Sequence, residues 1–312
     1  MIRIATRKSP LAMWQARHVE ALLKSAHPGI EVQLVKIVTQ GDKILDRPLA
    51  KIGGKGLFLK ELESALLNDE ADLAVHSMKD VPAYMPAGLV LDVVLTRANA
   101  YDGLVCRRHA SLADLPEGSL VGTSSLRRQS QLLALRPDIR VADLRGNVGT
   151  RLGKLDDGQY DAIILACAGL ERLGLQDRIT EQLDGPGWLP AATQGIIGVQ
   201  CRENDELIQA LVSPLGDEDA AIVAQAERAV ARVLGATCQV PLAAHATLDD
   251  RAPDDTIPGI RKVMLEALVA TPDGRHVIKA SGKAPVSEAN ALGEQVANDL
   301  LAKGAMQIIE AL

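Results

Sequence analysis

The sequence predicts an α/β protein in three parts, with two alternating strand–helix blocks facing a cleft and a small α+β block after them. Three observations carry this. Short apolar strands alternate with helix-length segments twice along the chain. Two linking segments, Leu95 to Tyr101 and Leu189 to Ile197, read as an outward and a return crossing between these blocks. The last part changes to strands joined by a tight turn and followed by one helix.

In the first block, Ile2 to Ala5 reads as a strand, residues 9–26 as a helix and Val32 to Val38 as a strand. Residues 57–68 follow as a helix and Leu73 to His76 as a strand. Strands separated by helices imply right-handed βαβ units and a mostly parallel sheet. Residues 39–56 form a polar loop rich in Gly and Lys, long enough to suggest function. The second block repeats the alternation: strand Ser119 to Gly122, a helix opening at Thr123, strand Ile139 to Leu144, a loop and helix over 145–155, and strand Asp161 to Ala166. Residues 242–248, 261–270 and 276–281 read as strands, the last two joined at Pro272-Asp273-Gly274. A helix over 287–303 follows, with Leu292, Val296 and Leu300 on one face. The expected division is 1–95 with 196–214, then 100–190, then 218–312.

Composition narrows the function. The 312 residues are 47% hydrophobic and 24% charged, enough to build several globular cores. Aromatic residues are only 2%, so the cores must come from Leu, Val, Ile and Ala. That scarcity and a net charge of -6 argue against nucleic-acid binding. The opening MIRIATRKSPLAMWQ has no long apolar run, so neither a signal peptide nor a membrane span is expected. Cys106, Cys167, Cys201 and Cys238 form no C-x-x-C pair. His18, His27, His109, His245 and His276 show no ligand spacing with Cys or acidic residues, so no metal is expected. Cytoplasmic residence with reduced thiols follows as the expectation.

The cations are the most informative pattern. Arg7, Lys8, Lys51, Lys55, Lys79, Arg127, Arg128, Arg145, Arg151 and Arg172 fall mostly at strand ends or helix starts. Open α/β sheets bind ligands at such places. Arg127 and Arg128 follow Thr123-Ser124-Ser125 at a helix start, where free amides and the helix dipole favour an anion. Arg145 follows a strand, and Gly146 beside it permits close backbone approach. Any one of these arginines fits a solvated surface equally well. The set together fits an anion cleft, and Arg in preference to Lys suits bidentate grip on carboxylates or phosphates.

Residues 71–82, ADLAVHSMKDVP, bring His76, Ser77, Lys79 and Asp80 to a strand end. Asp80 beside so many cations can stay ionised and stabilise a developing cation or move a proton. Spacing alone favours a plainer helix-capping role before Val81-Pro82. Cys238 lies in RVLGATCQVPL, where it reads as a small hydrophobe if buried and as an attachment point if exposed.

Several long segments resemble the porphobilinogen deaminase (hydroxymethylbilane synthase) family in the right order. They are RIATRKSPLAMWQA (3–16), GGKGLF (53–58), AVHSMKDVP (74–82), VGTSSLRRQ (121–129), LRGNVGTRLGKLDDGQYDAIILA (144–166), LPAATQGIIGVQCR (189–202) and ATCQVPL (236–242). The resemblance implies two class II periplasmic-binding-protein-like domains around a cleft, plus a small α+β C-terminal domain of three antiparallel strands and helices. It implies a dipyrromethane cofactor held by a thioether to Cys238. Asp80 would be the catalytic carboxylate, hydrogen-bonding pyrrole N–H groups and stabilising the azafulvenium cation left when porphobilinogen loses ammonia. Ser77, Lys79, Asp80, Thr123, Ser125, Arg127, Arg128, Arg145 and Gly146 would bind the cofactor. Arg7, Ser9, Gln15, Phe58, Arg145, Arg151, Arg172 and Gln194 would bind substrate, and Lys51 and Lys55 would lie in a loop over the cleft.

By the same resemblance, four porphobilinogen molecules condense head to tail and leave as hydroxymethylbilane by hydrolysis, on the way to haem, in a monomer. The family usually has two small residues before the cofactor cysteine, where this chain has Ala236-Thr237; Cys238-Gln239-Val240-Pro241 is intact. Two rivals share parts of this pattern. A non-enzymatic anion-binding protein of the periplasmic type would want an export signal and no third part. A LysR-like effector domain would want a helix-turn-helix region, which neither end offers.

Overall fold

The computed structural model describes residues 1–43, 58–236, 239–249 and 261–312. The chain opens with β1 (Ile2–Arg7) and α1 (Pro10–Ala26). Ser9 starts that helix by accepting from the Ala12 N–H at 3.3 Å, with Pro10 at its first position. Then come β2 (Val32–Ile37), α2 (Gln40–Lys43), α3 (Lys60–Leu67), β3 (Leu73–Ser77), a 3₁₀ turn Met78–Asp80 and β4 (Leu89–Val94). After the first crossing the chain builds β5 (Asp102–Cys106), β6 (Leu120–Gly122), α4 (Leu126–Leu135), β7 (Arg140–Ala142), α5 (Val148–Asp156), β8 (Ala162–Ala166), α6 (Cys167–Arg172) and β9 (Glu181–Leu183). It returns through β10 (Ile197–Arg202) and α7 (Glu206–Val212). The last lobe holds α8 (Glu218–Val233), β11 (Leu242–Asp249), β12 (Lys262–Ala270), β13 (Val277–Pro285), α9 (Ala289–Ala302) and α10 (Ala305–Glu310).

The strand orders are β2-β1-β3-β10-β4, β7-β6-β8-β5-β9 and β11-β12-β13. The expectation of mostly parallel sheets needs correcting, since both five-stranded sheets are mixed. β1 runs parallel to β2 and β3, but the return crossing delivers β10 in the opposite sense between β3 and β4. In the second sheet β5, entering from the first crossing, is antiparallel to β8 and β9. The third sheet is antiparallel throughout, and β13 runs on to Pro285 because its pairing with β12 continues to Lys262.

Aliphatic side chains fill every core, as the scarcity of aromatics requires. On one face of the first sheet Ile4, Leu73 and Val75 pack on Ala16, Val19 and Leu23 of α1. Ala5 and Ala74 meet Leu62 and Leu66 of α3 on the other. The second sheet buries Leu104, Val121 and Ile164 on one side and Val105, Ile163 and Leu165 on the other. Val263, Leu265 and Val269 pack on Val230 of α8 and on Leu292, Val296 and Leu300 of α9; Met78, Val81 and Val94 extend this core into the first lobe. Each buried Leu, Ile or Val among them contributes about 1.5–3 kcal/mol, and each Ala less. Ala243, Leu268 and Ala270 on the other face of the third sheet meet Leu189 of the return crossing. Among the described residues, no helix is long and apolar enough to cross a membrane.

Candidate active site

β3 delivers the chain to the cleft at Ser77, and the following 3₁₀ turn leaves Lys79 and Asp80 exposed. Between Ser77 and Lys79, Met78 is 2% exposed and roots the turn in the core. Its N–H donates to Ile196 O at 3.0 Å, and the Val81 N–H closes the turn onto Met78 O at 3.1 Å. Asp80 thus ends a short turn and caps no helix. Ser77 Oγ accepts from Gln15 Nε2 at 2.8 Å. Behind the turn, His76 Nε2 lies 2.9 Å from the side-chain oxygen of Gln200. Burial pushes His76 down to about 4, against the pull of the Gln200 bond and the Asp80 charge, so the ring is neutral near pH 7.

Across the cleft, the fully buried Asp102 at the head of β5 organises the second lobe. It accepts from Arg127 (Nη1 2.7 Å, Nη2 3.2 Å), Arg128 (Nη2 2.7 Å, Nε 3.0 Å), Trp188 Nε1 (3.0 Å) and Gln194 Nε2 (3.0 Å). Burial works against the charged carboxylate, but the two guanidinium groups outweigh it and hold Asp102 far below the usual range. Arg127 also donates to Leu189 O and Arg128 to Ile164 O. Two cations thus share one anion at the start of α4. Ser125 caps that helix from the Arg128 N–H at 3.4 Å, and Thr123 Oγ1 accepts from the Ser125 N–H at 3.2 Å.

Gln194, 1% exposed, joins the two sides. Its Nε2 donates to Ala100 O at 2.7 Å and to Asp102, which turns its oxygen toward Lys79 Nζ at 3.1 Å. Enclosure lowers Lys79 to about 8, with Arg128 and Arg127 adding and Asp80 and Asp102 opposing. Its contact with solvent tempers that push and leaves the ammonium accessible to an anion. Arg151 Nε donates to Gly146 O at 2.8 Å. Enclosure lowers Arg151 to about 10, with Arg128 and Arg145 adding and Asp80 opposing. Gly146 has φ +115°, and a Cβ there would stand 2.7 Å from Thr150 Cβ, so this turn requires glycine.

Lys79, Asp80, Arg127, Arg128, Arg145, Arg151 and Gln194 therefore come together as one charged neighbourhood. Arg7, Ser9, Gln15, Phe58 and Ser77 line an adjoining hollow with Asp80. There Arg7 pairs with Asp42 and stands 4.1 Å over the Phe58 ring. Arg172 sits at the seam, donating to Gly195 O at 2.7 Å and lying 5.6 Å over Trp14. Lys51, Lys55 and Cys238 lie outside the described residues. Another hollow, bordered by Val90, Val93, Val199 and Val212, has no cation among its described lining residues. Among the described residues, no group of His, Cys, Asp or Glu is placed to hold a metal.

Sequence reasoning missed Asp102, Trp188 and the pair formed by Arg97 and Glu227. A lone acid opening the otherwise apolar run DGLVC was the available signal for Asp102. Glu227, fully buried on α8, accepts from Arg97 Nη1 and from the Ala246 N–H, each at 2.7 Å, and from the Thr193 N–H. It ties the third lobe to both crossings.

Comparison with solved structures returns loose likenesses. The periplasmic aliphatic sulphonate binding protein SsuA from Escherichia coli is 17% identical over 74% of this chain and 69% of its own, with a TM-score of 0.40. An ABC transporter periplasmic substrate-binding protein from Coxiella burnetii is 15% identical over 73% of this chain and 97% of its own, with a TM-score of 0.43. Likenesses at this level say nothing of what this chain binds. Family models are decisive. Residues 2–210 match the porphobilinogen deaminase dipyrromethane cofactor binding domain, and residues 221–302 match the porphobilinogen deaminase C-terminal domain. With both domains matched in order across nearly all of its length, the chain belongs to the porphobilinogen deaminase family.

Proposed function

We propose that this chain joins porphobilinogen units head to tail, with Asp80 as the catalytic carboxylate and the cation-lined cleft as the seat of the growing chain's carboxylates. Family membership makes it a deaminating transferase of tetrapyrrole biosynthesis with a dipyrromethane cofactor. The observation that carries the cleft reading is its charge. Lys79, Arg127, Arg128, Arg145 and Arg151 gather in one neighbourhood with Asp80 and Asp102, so cations outnumber these two acids there. Each pyrrole of the cofactor brings two carboxylates, so a cluster with surplus positive charge fits it. When bound, the dipyrromethane supplies the terminal pyrrole carbon on which new units are built.

The chain's own residues do the rest. Lys79, Arg145 and Arg151 grip carboxylates from around Asp80. Asp102 locks the Arg127 and Arg128 guanidiniums in orientation, so they need not reorganise as negative charge accumulates. Thr123, Ser125 and Gly146 shape the two turns that present these arginines, and Ser77 and Gln15 brace the Asp80 turn. Asp80 accepts hydrogen bonds from pyrrole N–H groups and faces the cation formed when porphobilinogen loses ammonia. Arg7, Ser9, Gln15 and Phe58 receive substrate in the adjoining hollow, with Arg172 and Gln194 at its seam.

The thioether at Cys238 and the covering role of Lys51 and Lys55 rest on the family resemblance. So do the division into 1–95 with 196–214, 100–190 and 218–312, a monomeric state, and cytoplasmic work on the route to haem. Intact mass of the purified protein against a Cys238→Ser variant tests the reading. An excess of two linked pyrrole units, lost in the variant, is expected. If wild-type protein takes up no pyrrole mass even after porphobilinogen is added, the proposal fails.

A further inference from the structure

Arg228 stands in the middle of α8, partly buried, and meets no carboxylate among the described residues. Burial lowers its pKa and the charge of Arg232 adds to that, with no acid among the described residues opposing. Enclosing a cation without a counter-ion is costly unless its donors are well used. Here they reach three consecutive main-chain carbonyls: Val81 (3.3 Å), Pro82 (2.8 Å) and Ala83 (3.5 Å). Among the described residues nothing else donates to these three oxygens.

The local sequence explains why a guanidinium is needed. Pro82 lacks an N–H and holds Val81 extended (φ -86°, ψ 124°), so the segment cannot fold back to satisfy its own carbonyls. A planar fork spans neighbouring carbonyls in a way that a point-like ammonium does not. Val81 directly follows Asp80, and the side chains of Met78 and Val81 are sunk in the core shared with α8. The chain leaving Asp80 is thus gripped twice by the third lobe, by apolar packing and by Arg228. The same helix ends at Val233, shortly before Cys238 in the sequence.

We infer that Arg228 is a positioning residue for Asp80, fixing the carboxylate's height in the cleft relative to the lobe that carries the cofactor cysteine. The inference rests on the reading of Asp80 as the catalytic carboxylate. Arg228→Met, Arg228→Lys and Asp80→Asn are compared as holoenzymes for primer mass, kcat, KM and amide exchange over residues 78–89. Arg228→Met is expected to keep the primer and KM, exchange faster over that segment, and lose about 10²-fold in kcat, the scale of a small misplacement. Arg228→Lys, keeping charge but not the fork, should recover about tenfold of that loss.

Wild-type kcat and exchange in Arg228→Met, beside an inactive Asp80→Asn, overturn the inference and leave Asp80 in place. Wild-type turnover in Asp80→Asn removes the reading on which it stands. If Arg228→Met fails to fold or load, the Lys variant decides. Reduced kcat in loaded protein with faster exchange supports positioning, and wild-type values in both sink it.

Discussion

The ammonium of Lys79 lies 3.1 Å from the side-chain oxygen of Gln194, whose amide nitrogen is committed to Ala100 O and Asp102. The glutamine cannot flip without losing both bonds, so Lys79 faces a fixed acceptor. Lys79 binds anions while protonated, and its pKa is lowered to about 8. Its share of carboxylate binding is therefore present at neutral pH and fades as pH rises through that value. Gln194→Met removes an acceptor that favours the charged form, which should move the fade to lower pH. KM for porphobilinogen, followed from about pH 6.5 to about pH 9.5, checks this. Lys79→Arg should flatten the profile; an equally steep rise of KM in that variant would assign the titration elsewhere.

Asp102→Asn leaves two buried guanidinium groups sharing neutral acceptors. Breaking one side of a buried charge cluster costs about 3–5 kcal/mol, and Asn retains an acceptor oxygen, which favours the lower end. Trp188→Phe removes one neutral donor to the same carboxylate and should cost about 1 kcal/mol in lost hydrogen bonding. Urea unfolding of both variants measures the contrast. Near-equal losses would show that the arginines find water or other acceptors when the carboxylate charge is gone.

Much of the fold was legible because local pattern and tertiary structure agree. β1, α1, β2 and β3 carry their own periodicity, and Ser9-Pro10 announces the first helix. β9 is three residues long and has no period to read. The direction of β10 depends on where the chain re-enters the sheet, which no local pattern encodes. In the site, Lys79, Arg127, Arg128, Arg145 and Arg151 were legible as candidates, because strand ends and glycine turns are visible in sequence. Which of them are already neutralised was not. That Arg127 and Arg128 share Asp102 depends on a contact 25 and 26 residues distant along the chain. Arg228 was missed because an arginine amid α8 looks like any solvated helix residue until the carbonyls beside it are seen.

His76 makes stability depend on pH in a definite direction. Its folded pKa is about 4, below the ordinary 6.5, so the unfolded chain takes up the proton first. The contribution is fully present above the unfolded value and is lost as pH falls toward the folded one. It amounts to roughly 3 kcal/mol at most. His245 is also lowered to about 4, so the whole protein's slope contains both rings. Comparison with His76→Gln isolates one. The stability difference between wild type and variant should be largest near about pH 7 and shrink by about pH 5. A difference independent of pH would mean that the ring is protonated in place or reached by water.

The third lobe also grips the second through a glycine. The turn between β12 and β13 rests on α4, where Gln129 Nε2 donates to Pro272 O at 3.2 Å. Gly274 has φ +72°, and a Cβ there would run into the Ala134 nitrogen and stand 2.6 Å from Ser130 O. Gly118, with φ +75° and nothing among the described residues within 4 Å of such a Cβ, supplies the control. Gly118→Ala should cost about 1 kcal/mol for the left-handed backbone alone. Gly274→Ala adds steric overlap with main chain that cannot rotate away, a further 1–3 kcal/mol or so. Because α4 begins at the residue before Arg127, the strain falls on the helix that presents the arginine pair. Gly274→Ala should therefore also raise KM, whereas Gly118→Ala should not. Equal stability losses in the two variants would mean that the turn lifts off α4 at no cost and that the second and third lobes are not coupled there.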